Sequence, residues 1–285
     1  MGYSFAGHET FTCRNYWLKK GLDHVWSGGN FTNAAIKELG VGKNMVGAIK
    51  FWTRAFGLVE FDQRFSELAK YIFKTKGGKD PYLEDQGTIW LLHYLLVTSE
   101  VASIYNLVFN YFRKTRLEFS REQLLNYLES ECQSKQQKYS VNSLKKDIGV
   151  FLNNYLLPEK TKSIENDFMG LLYELDLIDR VRKDGNIQSY RIVNKERKSL
   201  PDKIALVCIL LNLDNTSITF NELLTSINSV GSVFALNSKY LMECIEKFCN
   251  DYPDYLVYKN NAGVQVLQVK EGFDLYTVLN EYYGK

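Results

Sequence analysis

A β-hairpin signal that follows a series of helices constrains the fold of this chain more than any other feature. Asp184-Gly185 lies between two β-prone runs, residues 177–181 and 189–193. An Asp-Gly pair is typical of a tight hairpin turn, because its residues tolerate the positive φ angles that the turn requires. Three helices are predicted ahead of it: one from residue 120 through residue 128 and beyond, one from residue 140 or 142 through residue 155, and one over residues 165–177. Helices followed by one hairpin indicate a winged-helix unit.

Capping residues mark the helix starts in this region. Ser120 precedes Gln123 by three positions. That is the spacing of a capping box, in which each side chain bonds the backbone N–H of the other residue. Ser140 or Asn142 opens the next helix, and Pro158 helps to end it.

A helix-turn-helix pattern occupies residues 28–62. Thr32 or Asn33 is predicted to cap a first helix that runs through residue 39, because their side-chain oxygens accept free backbone N–H groups. A turn with two glycines leads to a second helix over residues 43–56, which Gly57 ends. Residues 58–61 are predicted as a short strand.

Helices followed by a hairpin are also predicted in residues 201–285. The helices cover residues 201–211, 220–227 and 238–248, and the hairpin turns at residues 260–263. Residues 63–113 form an aromatic helical block that connects the first two units. We therefore predict a mainly α protein with small β-hairpins, built of multiple winged-helix (helix-turn-helix) units around this block. The predicted domains are residues 1–115, 116–198 and 199–285.

Charge is distributed unevenly along the 285 residues, although the net charge is only +2. Residues 101–200 carry 17 basic and 13 acidic groups, whereas residues 201–285 carry 6 and 10. Any contact with a polyanion is therefore expected in the first two thirds of the chain. The five cysteines are scattered, and the first residues carry no basic region before an apolar one. These features favour a reduced, cytoplasmic compartment without a secretion signal or membrane span.

The second helix of the helix-turn-helix pattern has one cationic face. Lys43, Gly47, Lys50 and Arg54 are spaced by four, three and four residues, so they share that face. Lysine and arginine attract phosphates, and Gly47 leaves space where a DNA backbone would approach. Asn44, near the helix start, could reach a base edge. The alternative is a solvated face of a structural helix.

Further cations are predicted to contact DNA from the central unit. Lys145 and Lys146 lie early in its second helix, and Arg182 and Lys183 stand at the hairpin turn. A helix and a hairpin tip together can contact phosphates at two points. A basic cluster at residues 113–116 adds another candidate. Each of these cations could instead serve only solubility.

An enzyme is the less favoured hypothesis. Asp184, Glu196 and Lys198 have a spacing faintly like that of metal-dependent nucleases, which need acidic groups for magnesium and a lysine near the phosphate. No phosphate-binding loop or nucleophile motif accompanies them, so neither a catalytic residue nor a cofactor is predicted. The four potential metal ligands match no zinc spacing; they are His8, Cys13, His24 and His93. His93 lies among apolar residues and is interpreted as a core histidine.

Several segments resemble the bacterial family called domain of unknown function 4007. They are FAGHETF (residues 5–11), LGVGKNM (39–45), DPYLED (80–85), TIWLLH (88–93) and KDIGVF (146–151). The resemblance is strongest over residues 5–195. Members of that family commonly occur in anti-phage defence islands, often beside sulfurtransferase-like genes of DNA phosphorothioation systems. The resemblance supplies no catalytic residues, but it draws attention to His8, Glu9 and His93, which lie in these segments.

Together, the residues and the resemblance predict a non-catalytic, DNA-binding component of a bacterial defence or DNA-modification system. Its partners would be double-stranded DNA and a sulfurtransferase or other protein of that system. The alternative is a protein–protein adaptor that uses its winged helices, above all those of the acidic third unit, to bind a partner enzyme. A metal-dependent nuclease is the remote alternative.

Overall fold

The protein is mainly helical and contains two small antiparallel sheets. The computed structural model describes residues 2–158, 169–183, 186–213, 215–261 and 263–284. The helices of the first half are α1 (Trp17–Trp26), α2 (Ala35–Leu39), α3 (Lys43–Ala55), α4 (Glu67–Phe73), α5 (Gln86–Thr98), α6 (Ser103–Leu107), α7 (Arg113–Thr115) and α8 (Arg121–Ser134). Those of the second half are α9 (Val141–Tyr155), α10 (Asp202–Leu211), α11 (Phe220–Thr225), α12 (Val230–Val233), α13 (Ser238–Asp251) and α14 (Leu275–Tyr283).

Each sheet has three strands. The strands are β1 (Glu118–Phe119), β2 (Asp179–Lys183), β3 (Asn186–Arg191), β4 (Ser217–Thr219), β5 (Leu256–Asn261) and β6 (Val264–Val269). Their orders are β1-β3-β2 and β4-β6-β5. In both sheets the predicted hairpin pairs two strands, and a short strand from before the hairpin adds to its second strand. Neither of these short strands was predicted, because two or three residues carry too little alternation to be recognised.

The helix-turn-helix segment largely follows its prediction. Gly40 ends α2 with a φ of 61°, a conformation that glycine adopts without steric cost, and α3 begins three residues later. The predicted cap is wrong, since α2 begins after Ala34 and has no side-chain cap. The predicted strand over residues 58–61 is also wrong. Only an isolated bridge between Val59 and Phe65 forms there.

The aromatic block supplies the centre of the core. Ten of the thirteen residues of α5 are buried, so this helix is surrounded by protein on nearly every side. A π-helical turn, Val108–Phe112, connects α6 to α7 and is itself almost wholly buried. The apolar core is continuous from this block into both flanking units.

The central unit shows the predicted capping box and hairpin. Ser120 and Gln123 bond each other's backbone N–H groups at the start of α8. Strands β2 and β3 pair around residues 184–185, which lie outside the described residues. The predicted third helix is wrong where it can be compared. Residues 169–177 contain only a 3-10 turn, Tyr173–Leu175, and residues 159–168 lie outside the described part.

Two buried arginines connect the units. Arg113 donates to the backbone carbonyls of Phe109, Gly231 and Ser232, and to the side chain of Asn194 at 2.5 Å. Arg113 was predicted to belong to a basic cluster that could contact phosphates. That prediction is wrong for Arg113, because α12 covers this residue, which is 5% exposed.

Arg197 is the second of these arginines and lies in the connection to the third unit. It donates to the carbonyls of Asp176, Val193 and Phe234. Its partners therefore belong to both the central and the third unit.

The third unit contains the predicted hairpin, and α10, α11 and α13 lie where its three helices were predicted. Pro201 is the residue before α10 rather than its first residue. Helices α12 and α14 were not predicted, and α14 packs against α10.

Within the described residues, no single helix has the length and apolar composition to cross a membrane. One pair of helices, Gln86–Thr98 and Ser103–Thr115, meets both criteria only when the two are taken together, and they are bent by 93° relative to each other.

Candidate functional site

Helix α3 separates its side chains as the sequence predicts. Val46, Ile49 and Thr53 are buried against the core. Lys43 and Asn44 are exposed at the start of the helix, whereas Lys50 and Arg54 are half-buried. The cationic face therefore changes along its length: its first turn protrudes into solvent, and its last two turns line a groove.

That groove has a volume of about 660 Å³ and collects residues from five parts of the chain. Helix α3 forms one wall with Gly47, Lys50, Phe51 and Arg54. The other walls come from four N-terminal residues (2–4 and 7), from Phe61, from the α5–α6 connection with part of α6, and from Lys135, which follows α8. We call this the α3 groove. It lies in the volume range of sites that bind small molecules.

Three cations converge on the α3 groove. Lys50 and Arg54 were predicted from helical spacing; Lys135 was not, because it lies 81 residues beyond Arg54 in the chain. The Lys135 ammonium lies 3.8 Å from the centre of the Tyr3 ring. Tyr3 itself is held by hydrogen bonds between its backbone and the side chain of Gln137. The N-terminal segment thereby brings Lys135 to the groove.

An exposed aromatic ring extends the groove past the end of α3. Phe61 is 75% exposed, the highest value among the large apolar side chains. The guanidinium of Arg54 lies 5.2 Å from the centre of its ring and donates to its carbonyl oxygen at 3.2 Å. A second depression of about 400 Å³ shares Arg54, Phe61, Ser99 and Val101 with the α3 groove. Phe61 therefore lines both depressions.

Two acidic side chains from other parts of the chain lie beside the cationic face or in the groove that it lines. A Cβ atom placed on Gly47 would lie 3.3 Å from Cγ of Glu9. Gly47 therefore makes room for the Glu9 side chain, and not only for a ligand. Glu100 also lines the groove. Both acids come from segments distant from α3, so helical spacing could not reveal them.

Hydrogen bonds of a buried histidine fix the N-terminal segment that carries Glu9. The backbone N–H of Thr10 donates to Nδ1 of His8 at 3.1 Å, so Nε2 carries a proton and donates to Asp147 at 3.1 Å. The second oxygen of Asp147 accepts from the N–H of Ala6. Ala6, Glu9 and Thr10 all have positive φ angles. These contacts hold the segment in an unfavourable backbone conformation between α3 and α9.

The cations of the central unit lie on a different surface. Lys145 and Lys146 are exposed on α9, although Asp147 beside them is buried against His8. Arg182 and Lys183 are exposed at the end of β2. The structure thus places these four predicted residues on the helix and the hairpin of one unit, and Lys43, Asn44, Lys50 and Arg54 on α3.

The other histidine of the family-like segments is a core residue. His93 donates from Nε2 to the carbonyl of Val233 at 2.9 Å, and Nδ1 accepts from the Tyr155 hydroxyl at 2.9 Å. Both ring nitrogens are therefore satisfied. Burial lowers the pKa of His93 to about 3, so it is neutral at physiological pH. This confirms the interpretation of His93 as a satisfied core histidine.

The structure describes two of the three residues of the nuclease hypothesis. Glu196 and Lys198 are exposed on either side of the buried Arg197, and Asp184 lies outside the described residues. In the part of the chain that the structure describes, no group of three or more His, Cys, Asp or Glu side chains is placed to hold a metal ion.

Comparison with known proteins identifies a family and two similar structures. The sequence profile of the family described as "Protein of unknown function (DUF4007)" matches residues 5–283. A solved structure described as magnesium ion-bound SspB superposes with a TM-score of 0.89 at 27% identity, covering 99% of this chain and 88% of that one. An SspB structure without that description gives 0.85 at 26% identity, with the same coverage. No curated protein matches the chain.

Proposed function

Because the chain belongs to the DUF4007 family, we propose that it is a DNA-binding component of a bacterial defence or DNA-modification system of the phosphorothioation type. Its similarity to the SspB structures is consistent with a component of such a system. Double-stranded DNA would be its principal ligand. A sulfurtransferase or another protein of the same system would be its protein partner.

One observation carries this proposal: cations from distant parts of the chain converge on one depression. Lys50 and Arg54 come from α3, and Lys135 follows α8. A stable fold gains little by bringing like charges together, since they repel one another. Phosphate groups offset that cost, and release of their counterions drives binding. The α3 groove is therefore best explained as a surface for a polyanion.

The central unit supplies a second contact in this proposal. We interpret α8, α9 and the sheet β1-β3-β2 as a winged helix in which α9 would be the recognition helix; their order along the chain supports this interpretation. Lys145 and Lys146 would then reach phosphates from α9, while Arg182 and Lys183 reach them from the hairpin. Lys43 and Asn44 would extend contact from the exposed start of α3.

Binding to a labelled duplex across a salt series tests the proposal. The wild-type protein should bind with an affinity that falls steeply with salt, because each neutralised phosphate releases counterions. Lys50→Ala combined with Arg54→Ala should weaken binding at least tenfold and lower the slope of log K against log salt by about two. Duplexes with and without phosphorothioate linkages measure any preference for the modification.

The matched control is Lys239→Ala combined with Lys270→Ala, two exposed lysines of the acidic third unit. It removes the same net charge away from the groove, so its affinity should stay within about twofold of wild type. Equal losses in both double variants would show that net charge alone drives binding. Absence of binding at low salt would reject the proposal and favour the adaptor function.

Magnesium-dependent cleavage is a second candidate, favoured by one observation: a similar solved structure is described as magnesium-bound. The described residues do not fit a closed site with three or more protein ligands, so no residue is assigned to the ion. Supercoiled plasmid incubated with magnesium tests this candidate. Nicking that disappears in Glu196→Ala supports cleavage by the segment around Glu196. Nicking that survives this change removes Glu196 from the candidate catalytic residues.

A further inference from the structure

We infer that the α3 groove receives a single unpaired nucleotide of the DNA strand, with its base against Phe61. This inference rests on the proposed function and deepens it, since it names which part of the DNA occupies the groove. Paired DNA would lie over the mouth of the groove, where its phosphates reach Lys50 and Arg54, and would extend over the exposed start of α3 and the surface of α9. The nucleotide that enters the groove would be one that has left the base stack.

The first argument is the exposure of the Phe61 ring. An aromatic side chain that is 75% exposed gains almost nothing from folding, because its apolar surface remains in water. It does gain from stacking on a base, which every nucleobase allows through its flat face. In a duplex those faces are covered by neighbouring base pairs, and only the edges are accessible. The ring of Phe61 is thus suited to an unstacked base.

The second argument is the position of the charges around that ring. Arg54 lies 5.2 Å from the ring centre, and Lys50 is one helical turn before it on the same wall. Lys135 lines the same groove beside Tyr3. A nucleotide with its base at Phe61 would therefore have three cations in one groove for its phosphates. Stacking aromatics within a cationic groove are the combination that binds single-stranded nucleic acid.

The third argument is size and the presence of an acid. A volume of about 660 Å³ holds a ligand of nucleotide size but not a duplex, which must be read from outside. Glu100 lies in the same wall segment as Ser99 and Val101. A carboxylate there can accept from the amino group of a base edge. It disfavours a bare anion, and therefore argues against free phosphate as the occupant.

The experiment compares two duplexes that differ at one position. One is fully paired, and the other carries a single unpaired 2-aminopurine, whose fluorescence falls when it stacks on an aromatic ring. Wild-type protein should bind the second duplex about tenfold more tightly and quench its fluorescence. Phe61→Ala should lose both effects, so that its affinities for the two duplexes differ by less than about twofold. Phe61→Trp should restore them, because tryptophan also offers a stacking face.

Tyr16→Ala is the matched control, since Tyr16 is 65% exposed outside the groove. It should leave the preference for the unpaired base unchanged. The inference is overturned if wild type shows no such preference, or if Phe61→Ala keeps it. In both of those cases binding to the paired duplex still supports the proposed function, whereas failure to bind either duplex overturns both.

A free nucleotide is the other source of the same chemistry. An excess of free deoxynucleotide should not displace the unpaired duplex, because it lacks the paired DNA that contacts the rest of the surface. Displacement by the free nucleotide at a concentration equal to that of the DNA would overturn the assignment to a DNA strand.

Discussion

Arg54 and Arg113 carry the same side chain but differ in burial and in hydrogen-bond partners. Arg113 is buried and donates to three backbone carbonyls and an asparagine. Arg54 makes one hydrogen bond to the carbonyl of Phe61 and remains half-exposed in a groove. The protein thus supplies nearly every hydrogen-bond partner of Arg113, whereas much of the donor capacity of Arg54 faces the groove. A cation whose partners are all internal serves the fold, and one that faces an open groove can serve a ligand.

The largest expected effect concerns Arg113, the buried arginine. Arg113→Ala should lower the free energy of unfolding by more than about 3 kcal/mol, because it leaves a cavity and unsatisfied carbonyls on Gly231 and Ser232. Urea unfolding followed by tryptophan fluorescence measures the loss. Arg116→Ala is the control, since Arg116 is exposed three residues away; it should change stability by less than about 0.5 kcal/mol. Equal stability of the two variants would contradict the structural role of Arg113.

The next effect concerns His93, which shares the buried region. Its pKa falls from 6.5 to about 3 on folding, so the unfolded chain binds a proton more readily between those values. Stability from this group is complete above pH 6.5 and is lost as the pH falls towards 3, by about 2 kcal/mol between pH 7 and pH 5. His93→Gln should be less stable at pH 7 but should lose less stability on acidification. Identical pH slopes for both proteins would argue that His93 is not the responsible group.

A smaller effect separates the two cationic surfaces. Lys145 and Lys146 protrude from α9, whereas Lys50 and Arg54 line the groove. Lys145→Ala combined with Lys146→Ala should weaken binding to the fully paired duplex and to the duplex with one unpaired base equally, by about tenfold. It should also lower the slope of log K against log salt by about two. The preference for an unpaired base should survive. Its loss in this variant would show that the two surfaces do not have separate roles.

Much of α3 could be predicted from the sequence, because its signals are local. Glycines before and after the helix fix its ends, and the helical period assigns Val46 and Ile49 to the core. The two hairpins were equally clear from their turn residues. Interpretation of Lys50 and Arg54 as one face needed only their spacing.

The remainder of the groove could not be predicted, because it is assembled from distant segments. Glu9 and Lys135 reach α3 only through the folded N-terminal segment, and no local pattern relates them to it. The burial of Arg113 could not be predicted from the local sequence either. Its neighbours in the sequence are basic and exposed, but contacts with α12, more than a hundred residues later, bury it. Charge clusters in a sequence therefore do not distinguish a cation that binds a ligand from one that stabilises the core.

The smallest expected effect comes from the acid beside Gly47. Glu9 places a negative charge next to the cations of α3, so Glu9→Gln should strengthen DNA binding by about two- to threefold at low salt, and less at high salt. Its amide keeps the shape of the side chain, and stability should stay within about 0.5 kcal/mol of wild type. Fluorescence anisotropy at two salt concentrations measures the change. Glu38→Gln is the control, because Glu38 is exposed and pairs with His24 away from the groove. A decrease in affinity for Glu9→Gln would instead indicate that the carboxylate contacts the DNA, by accepting from a base edge within the groove.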